Sequence, residues 1–149
     1  MVNRLMRHPF LAGMNRRQLG LLAGWAKITQ FKKGQVIFHE GDLADRFYLI
    51  ETGNVRLESS SGSRDPRSGY SWMFPPHIRT FTARAGEPVT AIFFYGPILR
   101  EYCEKDHSFG YEFLKRMSLE MYRRQTARNK IPTLQPQSGL LQAPGAVAA

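Results

Sequence analysis

Cysteine occurs once in this 149-residue chain, at Cys103, so no internal disulfide framework can staple it, and such usage suits a reducing compartment. Long apolar runs are missing as well. None approaches the ~20 residues that a helical bilayer span requires. The N-terminus, with Arg4 and Arg7 around Leu5 and Met6, lacks the apolar stretch of a secretory signal. These absences make a cytoplasmic location the expectation. Acidic residues are scarce beside basic ones, 12 against 21, which leaves a formal net charge of +9. A basic surface attracts nucleic acids, anionic lipids and phosphorylated small molecules alike. The positive residues are scattered, as at Arg16-Arg17, Lys32-Lys33, Lys115-Arg116 and Arg123-Arg124, and form no dense polybasic tail. Charge alone names no partner.

The residues of enzyme chemistry are equally sparse. A cupin-type metal site needs clustered His and Glu ligands, whereas His8, His39, His77 and His107 lie far apart. His39 and Glu40 are adjacent, but neighbours on a strand point to opposite faces. Cys103 falls in a predicted helix beside Tyr102, where a packed structural thiol is the simpler role. No Ser/His/Asp arrangement and no phosphate-cradling Gly-Lys loop occurs. The expectation is a protein without catalytic residues, metal or cofactor.

What the chain does contain is a dense β pattern. A hydrophobic content of 42% and an aromatic content of 12% suit an ordinary globular domain, and the length suits one. Val36, Phe38, Phe47, Leu49, Val55 and Leu57 alternate as strand residues do, with turns at Gly34, Gly41-Asp42 and Gly53-Asn54. Later strands are expected at 79–85 and 89–94, with a turn at Gly86-Glu87-Pro88. Helices flank this region. Asn15 and Gln18 form a capping-box pattern ahead of a short helix from about Arg16 to Gly24. Pro97 opens a helix to about Lys105, and a longer one spans roughly Ser108 to Asn129. On the last, Phe109, Phe113, Leu114, Met117 and Met121 make an apolar stripe, either core or dimer seam. From Ile131 the sequence turns to Pro, Gln, Gly, Ala and Ser without periodicity. The expected organisation is a domain at 8–130 and a disordered low-complexity tail at 131–149.

Residues 31–55 closely resemble the cyclic nucleotide-binding domain, the sensor module of bacterial catabolite activators, cyclic-nucleotide kinases and gated channels. The positions that carry the resemblance are Phe31, Gly34, Ile37, Gly41, Asp42, Asp45, Tyr48, Ile50, Gly53 and Val55. It implies a mainly β fold, a jelly-roll barrel with a short N-terminal helix and two C-terminal helices. It also implies that the last helix is a homodimer seam. Full-length activators of the family continue into a helix-turn-helix. Low-complexity sequence stands there in this chain, so sequence-specific DNA binding is not expected, nor is membrane binding.

In the family a Gly-Glu segment, closed by Arg and a small residue, holds the ligand. Backbone N–H groups and the arginine bind phosphate, and the glutamate accepts from the ribose 2′-hydroxyl. The corresponding segment here is 69–83. By this resemblance the ligand-binding residues are Gly69, Tyr70, Ser71, Trp72, Arg79 and Thr80. Gly69, Arg79 and Thr80 match, whereas Tyr70 replaces the glutamate and Trp72 replaces a small residue. The run through Phe74-Pro75-Pro76 also resembles a bacterial branch whose cassette lacks the glutamate. Losing that carboxylate removes a bond worth about 1.5–3 kcal/mol. Trp72 is expected to fill the pocket, and Arg79 reads either as phosphate ligand or as an outward strand arginine. Only residues 58–68 stand where the family runs a further hairpin, so the barrel is expected to be open there or covered by Trp72 and Phe74.

Two readings follow. One is a regulatory sensor for a cyclic nucleotide of cAMP type or another phosphorylated effector. The other is a ligand-free protein-interaction module with a filled pocket on the same fold.

Overall fold

The computed structural model describes residues 1–62, 69–130, 140–142 and 145–147. In chain order these form α1 (Val2–Met6), a 3-10 turn (Pro9–Leu11), α2 (Arg16–Trp25), β1 (Lys27–Phe31), β2 (Val36–Phe38), β3 (Arg46–Thr52) and β4 (Asn54–Glu58). After the cassette come β5 (Thr82–Ala85), β6 (Val89–Tyr95), α3 (Gly96–Lys105), α4 (His107–Lys130), β7 (Leu140–Gln142) and β8 (Gly145–Val147). Two four-stranded antiparallel sheets result, ordered β1-β6-β3-β8 and β2-β5-β4-β7. This is the strand arrangement of a jelly roll flanked by helices.

The helix ends follow from local chemistry. Asn15 and Gln18 do form a capping box: Asn15 Oδ1 accepts from the Gln18 N–H at 2.8 Å, and Gln18 Oε1 from the Asn15 N–H at 3.2 Å. Pro97 sits in the first turn of α3, where a missing N–H costs nothing. The three expected strand turns put Gly34, Gly41 and Gly53 at φ of 86°, 92° and 87°. Gly53 is doubly constrained, because a Cβ there would overlap the Pro88 carbonyl oxygen.

β3 divides the interior. Phe47, Tyr48, Leu49 and Ile50 are all buried, so both faces of this strand are covered. Phe47, paired with Phe94, faces the helical layer and touches Phe10 and Phe113. Tyr48, paired with Phe93, faces the space between the sheets and stacks on Phe38 of β2. The α4 stripe resolves in the same way. Phe109, Phe113 and Met117 are fully buried in the core, while Leu114 lies off that face and is 44% exposed.

Three expectations are corrected. The packed body begins before residue 8: Leu5 is fully buried, and Arg4 Nε donates to Glu51 Oε2 at 2.6 Å. Residues 79–81 precede β5 instead of joining it, and the Arg79 backbone pairs with Gly41 and Asp42 of the motif turn. The 131–149 segment was expected to be disordered throughout, yet β7 and β8 lie within it, paired with the edges of β4 and β3. Those backbone edges supply donors and acceptors that composition alone does not reveal. The remainder of that segment, and 63–68, lie outside the described residues.

His8 pins the N-terminal layer to β3. It is 4% exposed, its Nε2–H donates to Ile50 O at 2.9 Å, and its Nδ1 accepts from the Phe10 N–H at 3.2 Å. Only the neutral ring can serve both partners. Burial lowers its pKa, against the opposing pull of the Ile50 carbonyl, Glu51 and Glu120. Two predictions follow from these contacts. The unfolded chain takes up the proton first, so stability should fall as pH drops through about 6.5 and toward the depressed native value. Urea midpoints measured between pH 8 and pH 5 should show a shallower loss in His8→Gln than in wild type. Gly53→Ala should cost about 1–3 kcal/mol in the same assay at neutral pH.

Candidate functional site

The cassette is described from Gly69, which is buried at φ 105° and lets the chain turn into the helical layer. A turn follows, with the Met73 N–H donating to Tyr70 O at 2.9 Å. His77, at φ 58°, has Nδ1 at 3.1 Å from Ser71 O, which folds the loop back on itself. The far end is tied down by the motif turn. Gly41 N–H donates to Arg79 O at 2.8 Å, Arg79 N–H to Asp42 O at 2.8 Å, and Ala44 N–H to His77 O at 2.7 Å. The Gly41-Asp42 signature thus has a second task beyond turning the chain: its backbone positions Arg79.

Arg79 is 3% exposed, and its guanidinium carbon lies 4.0 Å from the centroid of the Phe38 ring. One terminal N–H donates to Arg46 O at 2.9 Å. Burial pulls its pKa down to about 9, while Tyr48, Asp45 and Asp42 favour the charge and Arg46 opposes it. The outward-arginine alternative is therefore overturned. Phe38 and Tyr48 belong to different sheets, so this cation sits at the inter-sheet space.

Tyr70 and Trp72 go elsewhere. Both are fully buried, but against Phe47: Tyr70 at 6.1 Å and Trp72 at 5.2 Å between ring centroids. Tyr70 also stacks on Phe10, and Trp72 meets Phe113 of α4 edge-on. These are helical-layer contacts, on the face of β3 opposite to Tyr48. The expectation that Trp72 fills a ligand pocket is corrected on this point. It anchors the cassette to the helices, helped by Arg100 of α3, whose guanidinium donates to Trp72 O, and by Gly96, where a Cβ would approach Trp72 Cβ to 3.2 Å. Among the described residues the Tyr70 hydroxyl and the indole N–H have no hydrogen-bond partner, and burial raises the Tyr70 pKa.

The remaining candidates scatter. Ser71 is half-buried and offers its carbonyl to His77, and Thr80 is exposed. Phe74 is 39% exposed. What brackets Arg79 instead is Phe38, the Arg46 carbonyl, Asp42, Asp45 and Tyr48. All five lie within 31–55, and Asp42, Asp45 and Tyr48 are among its motif positions, so a signal existed, but their convergence on Arg79 depends on a turn folding across the cassette.

A surface groove of about 440 Å³ lies on the outer side of the cassette, lined by Met73, Arg100, Cys103, Glu104, Tyr111 and Leu114 among others. Burial pushes the Cys103 thiol up to about 11, which disfavours its thiolate at neutral pH. Among the described residues no group of three His, Cys, Asp or Glu could hold a metal, and no helix is long and apolar enough to cross a membrane.

Comparison with known proteins agrees with this architecture. The family model described as cyclic nucleotide-binding domain matches residues 28–106, more than half of the chain. The chain belongs to that family. A solved candidate cyclic nucleotide-binding protein from Geobacter metallireducens GS-15 is 31% identical, with a TM-score of 0.73 over 83% of this chain and 96% of that one. The regulatory subunit of a cAMP-independent protein kinase A from Trypanosoma brucei shares the fold at 19% identity and a TM-score of 0.62, covering 85% of this chain and 48% of that one. Among curated proteins, cAMP/cGMP-dependent 3',5'-cAMP/cGMP phosphodiesterase B from Dictyostelium discoideum is 36% identical over 56 residues, 38% of this chain and 5% of the phosphodiesterase. The phosphodiesterase match is a small part of a much larger enzyme.

Trp72→Ala tests the anchor. It should lower stability by about 3–5 kcal/mol in chemical denaturation, the cost of removing a large aromatic from a packed core. A neutral result would remove Trp72 from the core.

Proposed function

We propose that the chain is a regulatory module that binds a cyclic nucleotide, or another phosphorylated small molecule, between its two sheets and has no catalytic activity of its own. One observation carries this reading. Arg79 is 3% exposed at the inter-sheet space, on the side of β3 away from Tyr70 and Trp72. Burial already weakens its charged form, to a pKa of about 9, so an arriving phosphate stabilises the guanidinium through a charge-assisted hydrogen bond. Burying a cation of this kind is costly, and an anionic ligand offsets that cost.

The ligand spectrum is set by what is missing. Tyr70 lies in the helical layer and has no carboxylate to offer a ribose 2′-hydroxyl. The affinity for a ribose-bearing ligand is then roughly ten- to a hundredfold below that of a cassette that has one. The names of the Dictyostelium and Trypanosoma relatives, one cAMP/cGMP-dependent and the other cAMP-independent, set cAMP and cGMP beside other phosphorylated compounds in a first panel. No DNA-reading role is assigned to the described residues. A homodimer, if it forms on α4, uses the exposed Tyr111, Leu114 and Tyr122.

One contact favours the second reading, a ligand-free interaction module. The Phe38 ring already covers one face of the guanidinium at 4.0 Å, a cation–π contact that solvates part of the charge. Thermal melting separates the two readings. A selective ligand at a hundred times its dissociation constant adds about 2.7 kcal/mol of stability. At least one cyclic mono- or dinucleotide should raise the wild-type melting temperature, and Arg79→Gln should abolish the rise. No rise across the whole panel supports the interaction module.

A further inference from the structure

We propose that the edges of β3 and β4 form a strand-accepting surface, and that its occupant is the chain's own C-terminal segment, donated in cis to complete both sheets. This does not rest on the ligand reading. Without β7 and β8, β3 would be the edge of one sheet and β4 of the other. Consecutive strands normally protect such edges with a following hairpin, but β4 ends at Glu58 and the cassette is already under way at Gly69. Both edges carry fully or nearly fully buried apolar residues, Leu49, Ile50 and Val55, and neither contains proline. Exposed edges of that kind template pairing with other chains, and native proteins cover them.

The register identifies the occupant. Leu140, Leu141 and Gln142 oppose Arg56, Val55 and Asn54, and Gly145, Ala146 and Val147 oppose Ile50, Leu49 and Tyr48. β7 therefore runs antiparallel beside Asn54–Arg56 in one sheet and β8 beside Tyr48–Ile50 in the other, on the two sides of Gly53. A fortuitous contact of three residues would have no reason to resume in register on the second sheet. Main-chain pairing of this type supplies affinity, and the alternating residues supply specificity. The kind of partner that fits the surface is an extended strand pair, and the cis segment fills it.

The test uses the full-length chain with Cys103→Ser, so that no other thiol competes. Directly opposed antiparallel residues have Cα atoms about 4.5–5.5 Å apart, within disulfide reach. Arg56→Cys combined with Leu140→Cys should give a reducible intramolecular disulfide under mild oxidation. Glu101→Cys with Leu140→Cys, which pairs an exposed site on α3 with that strand, should not. A cross-link no better than this control, or one formed only between two copies, overturns the proposal. As an independent measurement, Leu141→Pro with Ala146→Pro should speed amide hydrogen exchange at 48–50 and 54–56 by at least about tenfold, because proline cannot sustain a strand ladder. Unchanged exchange also overturns it.

Discussion

Everything in this molecule is organised by the alternation of side chains along β3. Because successive residues of a strand point to opposite faces, Phe47 is committed to the helices and Tyr48 to the space between the sheets. The strand is buried on both faces, so each residue serves a different core. On the helical side, Phe47 collects Phe10, Tyr70, Trp72, Phe94 and Phe113 into one aromatic cluster. On the other, Tyr48 meets Phe31, Phe38 and Phe93. A one-residue slip of this strand would exchange the two sets and destroy both.

The cassette is stretched across that divide. Its first half is held by aromatic burial in the helical layer, a non-directional force that fixes depth. Its last residues are held by hydrogen bonds to the Gly41–Ala44 turn, a directional force that fixes orientation. The division explains how two bulky residues, Tyr70 and Trp72, are accommodated without displacing Arg79. Substitutions in the aromatic half act on the core, whereas the Arg79 guanidinium sits with the backbone-bonded half. The Arg100 bond to Trp72 O and the packing of α4 against the same indole tie the cassette to the C-terminal helices.

Electrostatics and burial oppose each other at Arg79. A guanidinium in an apolar space loses hydration, and the aromatic face of Phe38, the Arg46 carbonyl and the nearby Asp42 and Asp45 return part of it. The arrangement keeps a cation inside the roll. The basic surface elsewhere is a separate matter: Lys105 pairs with Glu101, and Lys115 and Arg116 pair with Glu112, along single helices. The exposed Lys105–Glu101 pair contributes little to stability, whereas the Arg116 guanidinium is largely buried against Glu112 and also donates to Ala12 O.

Much of the architecture was legible in the amino acids alone. The period-two apolar pattern, the left-handed turn glycines at 34, 41 and 53, the Asn15–Gln18 box and Pro97 are local devices, and local devices depend on neighbours a few residues away. The family resemblance of 31–55 was legible for the same reason. Other features were not. That Trp72 belongs to the helices, that Asp42 and Asp45 converge on Arg79, that Leu5 and His8 are core, and that β7 and β8 return to the open edges all depend on long-range contacts. Whether a buried aromatic fills a pocket or anchors a loop is written identically in its identity. Only the face of the strand it meets distinguishes them, and that face exists once the two sheets have closed.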